Sequence, residues 1–475
     1  MLLRQIFDPY LAQYAYLVGC QRTGEALVID PERDIDQYTS LAAENGLRIT
    51  AVAETHIHAD FVSGAAEFAA DPAVNLYLSG EGGADWSYRW PENRPNTHIV
   101  RDGERFNIGN IEIEVVHTPG HTPEHLSFLI TDRGSGATEP MALATGDFLF
   151  VGDVGRPDLL ESAAGVKNIM EPSARTLQES LAQRLVAYPD FLQILPAHGA
   201  GSACGKALGA VPMTTLGYER RFNRALKLAG VDKEGFVKDI LHGQPNPPLY
   251  FATMKRVNRD GIAVTGGAPR GHRLSPQRFT EVQGRADTRV LDVRMDRAAF
   301  DAGHAPGAIA APLRSTFFAM AAGSFLETHT PIVLMVEHED DVELAARQLY
   351  RIGLDGLVGW ITLEDAREGG LLTAQTERID FADFDPTAAR RAGEILDVRT
   401  TAEFEEHHLE GAHSMPYTRL RSYLPNLSKE KTLYVHCASG KRASLATAFL
   451  VAEGFQAVHV DGMFGTCGAR CRTGG

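Results

Sequence analysis

Six side chains able to hold a metal stand just past the ends of four apolar, strand-like runs. Residues 47–52 lead into His56, His58 and Asp60; 111–116 lead into His121; 141–144 lead into Gly146-Asp147; and 192–197 lead into His198. A lone histidine at such a position carries little information. Imidazole and carboxylate recurring at four successive strand ends point to a metal site. A second kind of chemistry lies further on. Residues 432–436 run into Cys437-Ala438-Ser439-Gly440-Lys441-Arg442, with a helix expected from about Ala443. A short loop feeding a helix N-terminus turns its backbone N–H groups inward as an anion cradle, here through Ser439 and Gly440. The helix dipole, Lys441 and Arg442 favour the thiolate of Cys437, which can attack a sulfane sulfur and hold it as a persulfide.

The elements that must position these groups follow from patterning. Residues 14–18 and 26–30 are β-rich runs separated by Gly24, and a helix over 34–45 stops at Gly46. The N-terminal hydrophobic residues open a first strand. A short helix is expected over 65–70. Residues 81–97, with Trp86, Tyr88 and Trp90, read as an irregular loop over a pocket. Residues 106–108 and 111–116 form a hairpin about Gly109-Asn110. Strands at 126–130, 141–144 and 192–197 complete a first domain over 1–263, helical and proline-rich beyond 205. Residues 264–276 read as a linker.

Beyond the linker the chain repeats itself. Val290-Leu291-Asp292-Val293-Arg294 recurs as Ile395-Leu396-Asp397-Val398-Arg399. Gly303-His304-Ala305-Pro306-Gly307-Ala308 recurs as His407-His408-Leu409-Glu410-Gly411-Ala412. The offset, about a hundred residues, is that of a duplicated domain. Each copy alternates strands and helices, so two small parallel-sheet α/β domains are expected, at 277–373 and 377–475. Laying Gly353 on Gly454 puts Val336 opposite Cys437 and Glu337-His338-Glu339-Asp340-Asp341 opposite the cradle. Without a nucleophile, and with an acidic loop that repels sulfur oxyanions, the first copy is expected to be catalytically dead. It is expected to pack the other two domains together or to form a homo-oligomer interface.

The chain has 475 residues and a net charge of −15 with no basic block to offset it, which argues against nucleic acid and anionic membrane as partners. No apolar run approaches the roughly 18 residues of a membrane span, and the N-terminus does not read as a signal peptide. The five cysteines are too few and too scattered for a disulfide framework, which indicates the cytoplasm or another reducing compartment. Cys467 and Cys471 lie in a Gly-rich tail and are expected to be mobile rather than metal-bound. Cys204, six residues past His198, lies close to the expected metal, where it either holds substrate sulfur or packs a loop.

The motifs Thr55-His56-Ile57-His58-Ala59-Asp60, Pro119-Gly120-His121-Thr122 and Gly146-Asp147 resemble those of the metallo-β-lactamase superfamily, which implies an αββα sandwich. In the two-metal hydrolases of that superfamily a further histidine follows the aspartate. Here that residue is Phe61, which cannot ligate, so the resemblance implies one metal. Two histidines and a carboxylate suit non-haem Fe(II). The resemblance narrows to the persulfide dioxygenases of the superfamily, whose iron ligands fall on His56, His121 and Asp147. His58, Asp60 and His198 would then orient ligands and order water. Gly155-Arg156-Pro157-Asp158 is similar to that family's Gly-Arg-x-Asp, which makes Arg156 a candidate for holding substrate or an active-site loop. The loop from Cys437 to Arg442 and the repeat signatures resemble the rhodanese family, and the six-residue loop favours sulfur over phosphate.

The two resemblances together imply oxidation of a low-molecular-weight thiol persulfide by O2 to sulfite at one Fe(II). They also imply sulfur transfer through Cys437, from persulfide and sulfite to thiosulfate or the reverse. The alternative is a thiolester hydrolase of the glyoxalase II type, which needs two metals and against which Phe61 counts. A non-catalytic sulfur relay and a phosphatase are the remaining rivals.

Overall fold

The computed structural model describes residues 1–92, 94–162, 168–465 and 473–474. Cys467 and Cys471 lie outside the described residues. Compactness divides the chain into one unit of Met1–Gln244 with Phe251–Gly267 and a second of Pro245–Tyr250 with Ala268–Gly475. Residues 245–250, expected in the first domain, thus belong to the second unit.

The first unit holds two six-stranded sheets. In one, β1 (Leu2–Asp8), β2 (Gln13–Cys20), β3 (Glu25–Ile29), β4 (Arg48–Ala53), β5 (Asn75–Ser79) and β6 (Thr97–Val100) lie side by side in chain order. β1 to β3 pair antiparallel and β3 to β6 parallel. In the other, β7 (Arg105–Ile108), β8 (Ile111–His117), β9 (Leu126–Asp132), β10 (Ala142–Gly146), β11 (Gln193–Pro196) and β12 (Thr214–Thr215) also follow chain order. Here β10 and β11 pair parallel and the other pairs are antiparallel.

Strand alternation puts Val18, Leu27, Ile29, Ala51 and Ala53 on one inner face, against Ile113, Val115, Phe128, Ile130 and Leu195 on the other. Helices cover the outer faces. Tyr38 and Ala42 of helix Asp36–Glu44 pack on Leu17, Val28 and Val52. Leu177 and Leu181 of helix Met170–Arg184, with Phe236 and Ile240 of helix Lys233–Leu241, pack on Leu129, Leu143 and Ile194. The result is an αββα sandwich. Because β8, β10 and β11 run in the same direction, their C-terminal ends share one edge.

In the second unit, β13 (His272–Arg273), β14 (Arg289–Asp292), β15 (Ala308–Ala310), β16 (Ile332–Val336) and β17 (Leu357–Thr362) form a parallel sheet in the order β13-β17-β16-β14-β15. β13 falls within the residues expected as linker, where two residues were enough to add an edge strand. The chain continues through β18 (Glu377–Asp380), β19 (Gly393–Asp397), β20 (His407–His408), β21 (Ala412–Ser414), β22 (Thr432–His436) and β23 (Ala457–Asp461). These strands, apart from β20, make a second parallel sheet in the order β18-β23-β22-β19-β21, the same order again.

The repeats match in detail. Arg294 folds back on Asp292 and Arg399 on Asp397. His304 stacks on Phe300 and donates from Nδ1 to its carbonyl at 2.9 Å; His408 does the same with Phe404, also at 2.9 Å. Asp292 pairs with Met335 and Asp397 with His436, so Val336 and Cys437 occupy the same register position. No helix among the described residues is long and apolar enough to cross a membrane.

Candidate metal centre and cysteine loop

His56, His121 and Asp147 converge: a donor atom from each lies within 4.8 Å of the others, and all three residues are buried. His121 Nε2 is 3.5 Å from Asp147 Oδ2. The neighbours decide the tautomers. The Thr55 hydroxyl donates to Asp30 Oδ2 at 2.8 Å, so its oxygen accepts from His56 Nδ1 at 2.9 Å. His121 Nδ1 faces the Arg156 carbonyl at 3.0 Å, and a carbonyl only accepts. Each Nδ1 therefore carries the hydrogen and each Nε2 keeps its lone pair. Burial and the surrounding imidazoles hold His56 well below the ordinary histidine range, and burial lowers His121. Both are neutral, as ligation requires.

Asp147 is oriented by its own N–H, which donates to His125 Nε2 at 3.0 Å, while both of its carboxylate oxygens are buried without a hydrogen-bond partner. An unpaired buried carboxylate facing imidazole lone pairs is costly, and a bound cation relieves it, so these residues fit a metal. Two glycines make room for the arrangement. At Gly146 (φ +51°) a Cβ would lie 2.6 Å from Thr55 Oγ1 and 2.7 Å from His125 Nε2, and at Gly155 it would overlap the Asp147 carbonyl oxygen.

Asp60, His198 and Cys204 form an adjoining donor set within the same 4.8 Å limit. His198 Nδ1 faces the Ala12 carbonyl at 3.2 Å, which turns Nε2 toward Asp60 Oδ2 at 3.3 Å and Asp147 Oδ1 at 3.4 Å. Asp147 thus stands between the two sets. Burial, with Asp60 and Asp147 nearby, pushes the Cys204 thiol well up, so without a metal it is a neutral thiol.

His58 belongs to a third set. Its Nε2 lies 3.1 Å from both Asp30 Oδ1 and Glu54 Oε2. Burial acts to lower His58, but the two carboxylates outweigh it and hold the ring well above the ordinary range, as an imidazolium. Phe61 is fully buried and packs on this ring at 4.5 Å between centroids. Asn258, on helix Phe251–Asp260, donates to the carbonyls of His58 and Phe61 at 2.8 and 2.7 Å and accepts from Ser63 N–H at 2.9 Å. It locks the ligand loop from far along the chain. Sequence reasoning missed Asn258, and also Asp30, Thr55 and His125; a strand-terminal Asp30 before Pro31 was the one local signal.

Of the two roles expected for Arg156, the contacts support loop anchoring. The side chain is buried, forks onto Asp158 at 2.9 and 2.6 Å, and donates to the Ala203 carbonyl at 2.8 Å.

In the second unit, Cys437 follows β22 and is buried, with Sγ accepting from Ala443 N–H at 3.4 Å in the first turn of helix Lys441–Ala452. Gly440 caps that helix at φ +79°. Ser439 is half-buried and Lys441 exposed. Arg442, expected from sequence to favour the thiolate, forks onto Glu403 at 2.6 and 2.7 Å and has Cys437 as an electrostatic neighbour. Burial would raise Glu403, but Arg442 and Thr400 pull it down to about 2. Tyr417, which the sequence did not single out, is a buried phenol raised by that burial, which the nearby Arg442 opposes. In the first repeat the loop turns on itself: His338 N–H donates to Asp341 Oδ2 at 3.1 Å, and Arg314 holds Oδ1 at 2.6 Å.

Residues 9–198 match the metallo-beta-lactamase superfamily and residues 385–464 the rhodanese-like domain. The chain is 30% identical over 242 residues to the mitochondrial persulfide dioxygenase ETHE1 of Bos taurus, covering 50% of this chain and 80% of that protein. It is 36% identical over 174 residues to a hydroxyacylglutathione hydrolase of Rhodospirillum rubrum, covering 36% of this chain and 60% of that one. The crystal structure of a metallo-beta-lactamase from Staphylococcus aureus subsp. aureus COL is similar at a TM-score of 0.66 and 38% identity, covering 76% of this chain and 98% of that one. By sandwich, by strand-end donors and by these relatives, the chain belongs to the metallo-beta-lactamase superfamily, among the relatives of the persulfide dioxygenases, and it carries a C-terminal rhodanese-like domain.

Proposed function

We propose that the protein oxidises the sulfane sulfur of a low-molecular-weight thiol persulfide to sulfite, at one Fe(II) held by His56, His121 and Asp147, and passes sulfur through Cys437. Residues 1–263 do the first task and 377–475 the second. Residues 277–373, with Val336 in the nucleophile's position, are non-catalytic. One observation carries the reading: two neutral imidazoles turn their Nε2 lone pairs on a carboxylate whose oxygens are both unpaired. Fe(II) on two histidines and a carboxylate supplies dioxygen activation and open positions for a sulfur ligand.

The chain's own residues do the rest. Thr55 and the Arg156 carbonyl keep the ligand tautomers, His125 aims Asp147, and the His58 imidazolium with Asp30 and Glu54 stiffens the loop beneath. The net oxidation is R–S–SH + O2 + H2O giving R–SH and sulfurous acid. In the transfer, the Cys437 thiolate attacks the outer sulfur of a second persulfide. The donor S–S bond breaks and R–S⁻ leaves as the thiol. Sulfite then takes that sulfur as thiosulfate and restores the thiolate. The same steps reversed supply persulfide from thiosulfate.

Product analysis on iron-loaded protein given glutathione persulfide tests this. Wild type yields sulfite and thiosulfate, and Cys437→Ser yields sulfite alone. Absence of both sulfite and thiosulfate from wild type would overturn the oxidation; undiminished thiosulfate from Cys437→Ser would overturn the transfer. The second donor set, Asp60, His198 and Cys204, favours a rival reading as a two-metal thiolester hydrolase. Two metals per chain, with thiolester cleavage and no oxygen uptake, would select it.

A further inference from the structure

We infer that Asp301, in the first repeat, is a positioning residue for the Cys437 loop, acting through His459 on the Gly440 carbonyl. The inference rests on the sulfurtransferase reading of the second repeat and gives the first repeat a task that needs no nucleophile.

His459 lies on β23 with its ring fully buried. Its Nδ1 is 2.8 Å from Asp301 Oδ2 and its Nε2 is 3.1 Å from the Gly440 oxygen. Asp301 comes from helix Arg297–Ala302, 158 residues away in sequence. The Gly440 carbonyl also accepts the Ser444 N–H at 2.9 Å, so it is the hinge on which the cradle meets its helix. A carboxylate and a carbonyl are both acceptors, whereas a neutral imidazole has a single N–H. Both contacts are satisfied only when the Asp301–His459 pair holds one further proton: on the ring, facing an ionised Asp301, or on Asp301, donating to Nδ1. In either form the carboxyl group orients the ring whose Nε2–H holds Gly440.

A second contact comes from the same helix. Arg297, four residues before Asp301 and so on the same face, pairs with Asp461 Oδ1 at 2.8 Å, and Arg378 holds Oδ2 at 2.7 Å. Asp461 lies directly against the loop: a Cβ at Gly440 would overlap its Oδ1. One short helix of the first repeat therefore grips the turn twice, through His459 at the Gly440 carbonyl and through Asp461 at the Gly440 Cα. The Ala443 N–H that meets the sulfur lies in the first helical turn after Gly440 and so follows the turn so held.

The test uses the full chain and two readouts: the rate of Cys437 alkylation by iodoacetamide, and kcat and KM for sulfur transfer from thiosulfate to cyanide. Asp301→Ala is expected to slow alkylation and lower kcat by about tenfold, the loss of one buried hydrogen bond to the turn, with KM for thiosulfate within about twofold. Asp301→Asn can donate to Nδ1 and leave Nε2–H on Gly440, so it is expected to return both rates to within about threefold of wild type. Arg297→Ala, at a partly exposed position that leaves the core intact, is expected to slow alkylation two- to threefold. Wild-type rates in Asp301→Ala would overturn the inference, as would equal losses in the Ala and Asn variants. Should Asp301→Ala fail to fold, wild-type alkylation in Arg297→Ala together with a full loss in Asp301→Asn overturns it. If wild type transfers no sulfur, the sulfurtransferase reading fails while the alkylation rates still decide the positioning.

Discussion

Thr55→Val tests the claim that the chain prepares His56 as a ligand. Valine matches threonine in shape, so the change removes one hydroxyl. That hydroxyl accepts from His56 Nδ1 at 2.9 Å and donates to Asp30 Oδ2 at 2.8 Å. Asp30 keeps its bond from the Thr55 N–H at 2.7 Å and its contact with His58, so the loop stays tied to β3. His56 is left with a buried, unpaired Nδ1–H, which costs about 1–3 kcal/mol. The ring avoids the cost by moving its proton to Nε2, which removes the lone pair from the metal site. Metal binding must reverse that shift, and affinity should fall by about 10- to 100-fold, or about 1.4–2.7 kcal/mol. Competition of Fe(II) or Zn(II) against a chromophoric chelator measures it, with melting of the metal-free protein as a control on folding. Thr55→Ser, which keeps the hydroxyl, should bind within about threefold of wild type. A folded Thr55→Val protein with affinity within about twofold of wild type would refute the tautomer argument.

Three more outcomes follow from the geometry. Gly155→Ala forces a Cβ into the Asp147 carbonyl oxygen and against His121 Cβ, so bound metal should fall at least tenfold and stability by about 1–3 kcal/mol, read from metal content and melting. Glu403 titrates near 2 when folded against an ordinary 4.5, so its stabilisation is present above pH 4.5 and is lost as pH falls toward 2. Glu403→Gln should therefore be less stable than wild type at neutral pH, with the difference closing across that window; a pH-independent gap would count against the Arg442 pairing. Val336→Cys places a thiol at the register position of Cys437 but beside Glu337, Glu339 and Asp341. Its alkylation at neutral pH should be at least tenfold slower than that of Cys437, and a comparable rate would show that the acidic loop does not silence the position.

Much of this was legible because chemistry sits at strand ends. Four apolar runs that each stop at a donor brought forward His56, His58, Asp60, His121, Asp147 and His198, the family resemblance singled out His56, His121 and Asp147 among them, and the equivalence of Val336 and Cys437 followed from two glycines that end matching helices. Arg156 could be named from its motif, but not its fork onto Asp158 and Ala203, because a motif does not show which carbonyls surround a side chain. His58 reads in sequence like a partner of His56. Its charge comes from Asp30 and Glu54, and only the pairing of β3 with β4 brings Asp30 close. β5 and β6, of five and four residues, were not read from the sequence, and β6 begins at the end of the stretch read as a loop. Asn258 and the Asp301–His459 contact depend on chain segments that patterning cannot bring together, since nothing local to either partner marks the other, whereas Cys204 lay near enough to His198 to be placed beside the metal donors.

The most direct measurement of the central claim is dioxygen consumption by the iron-loaded full chain given glutathione persulfide, for wild type, His121→Ala and Cys437→Ser. Wild type should consume dioxygen rapidly, His121→Ala should lose nearly all uptake, and Cys437→Ser should stay close to wild type. Wild-type protein that holds iron and consumes no dioxygen would contradict the claim.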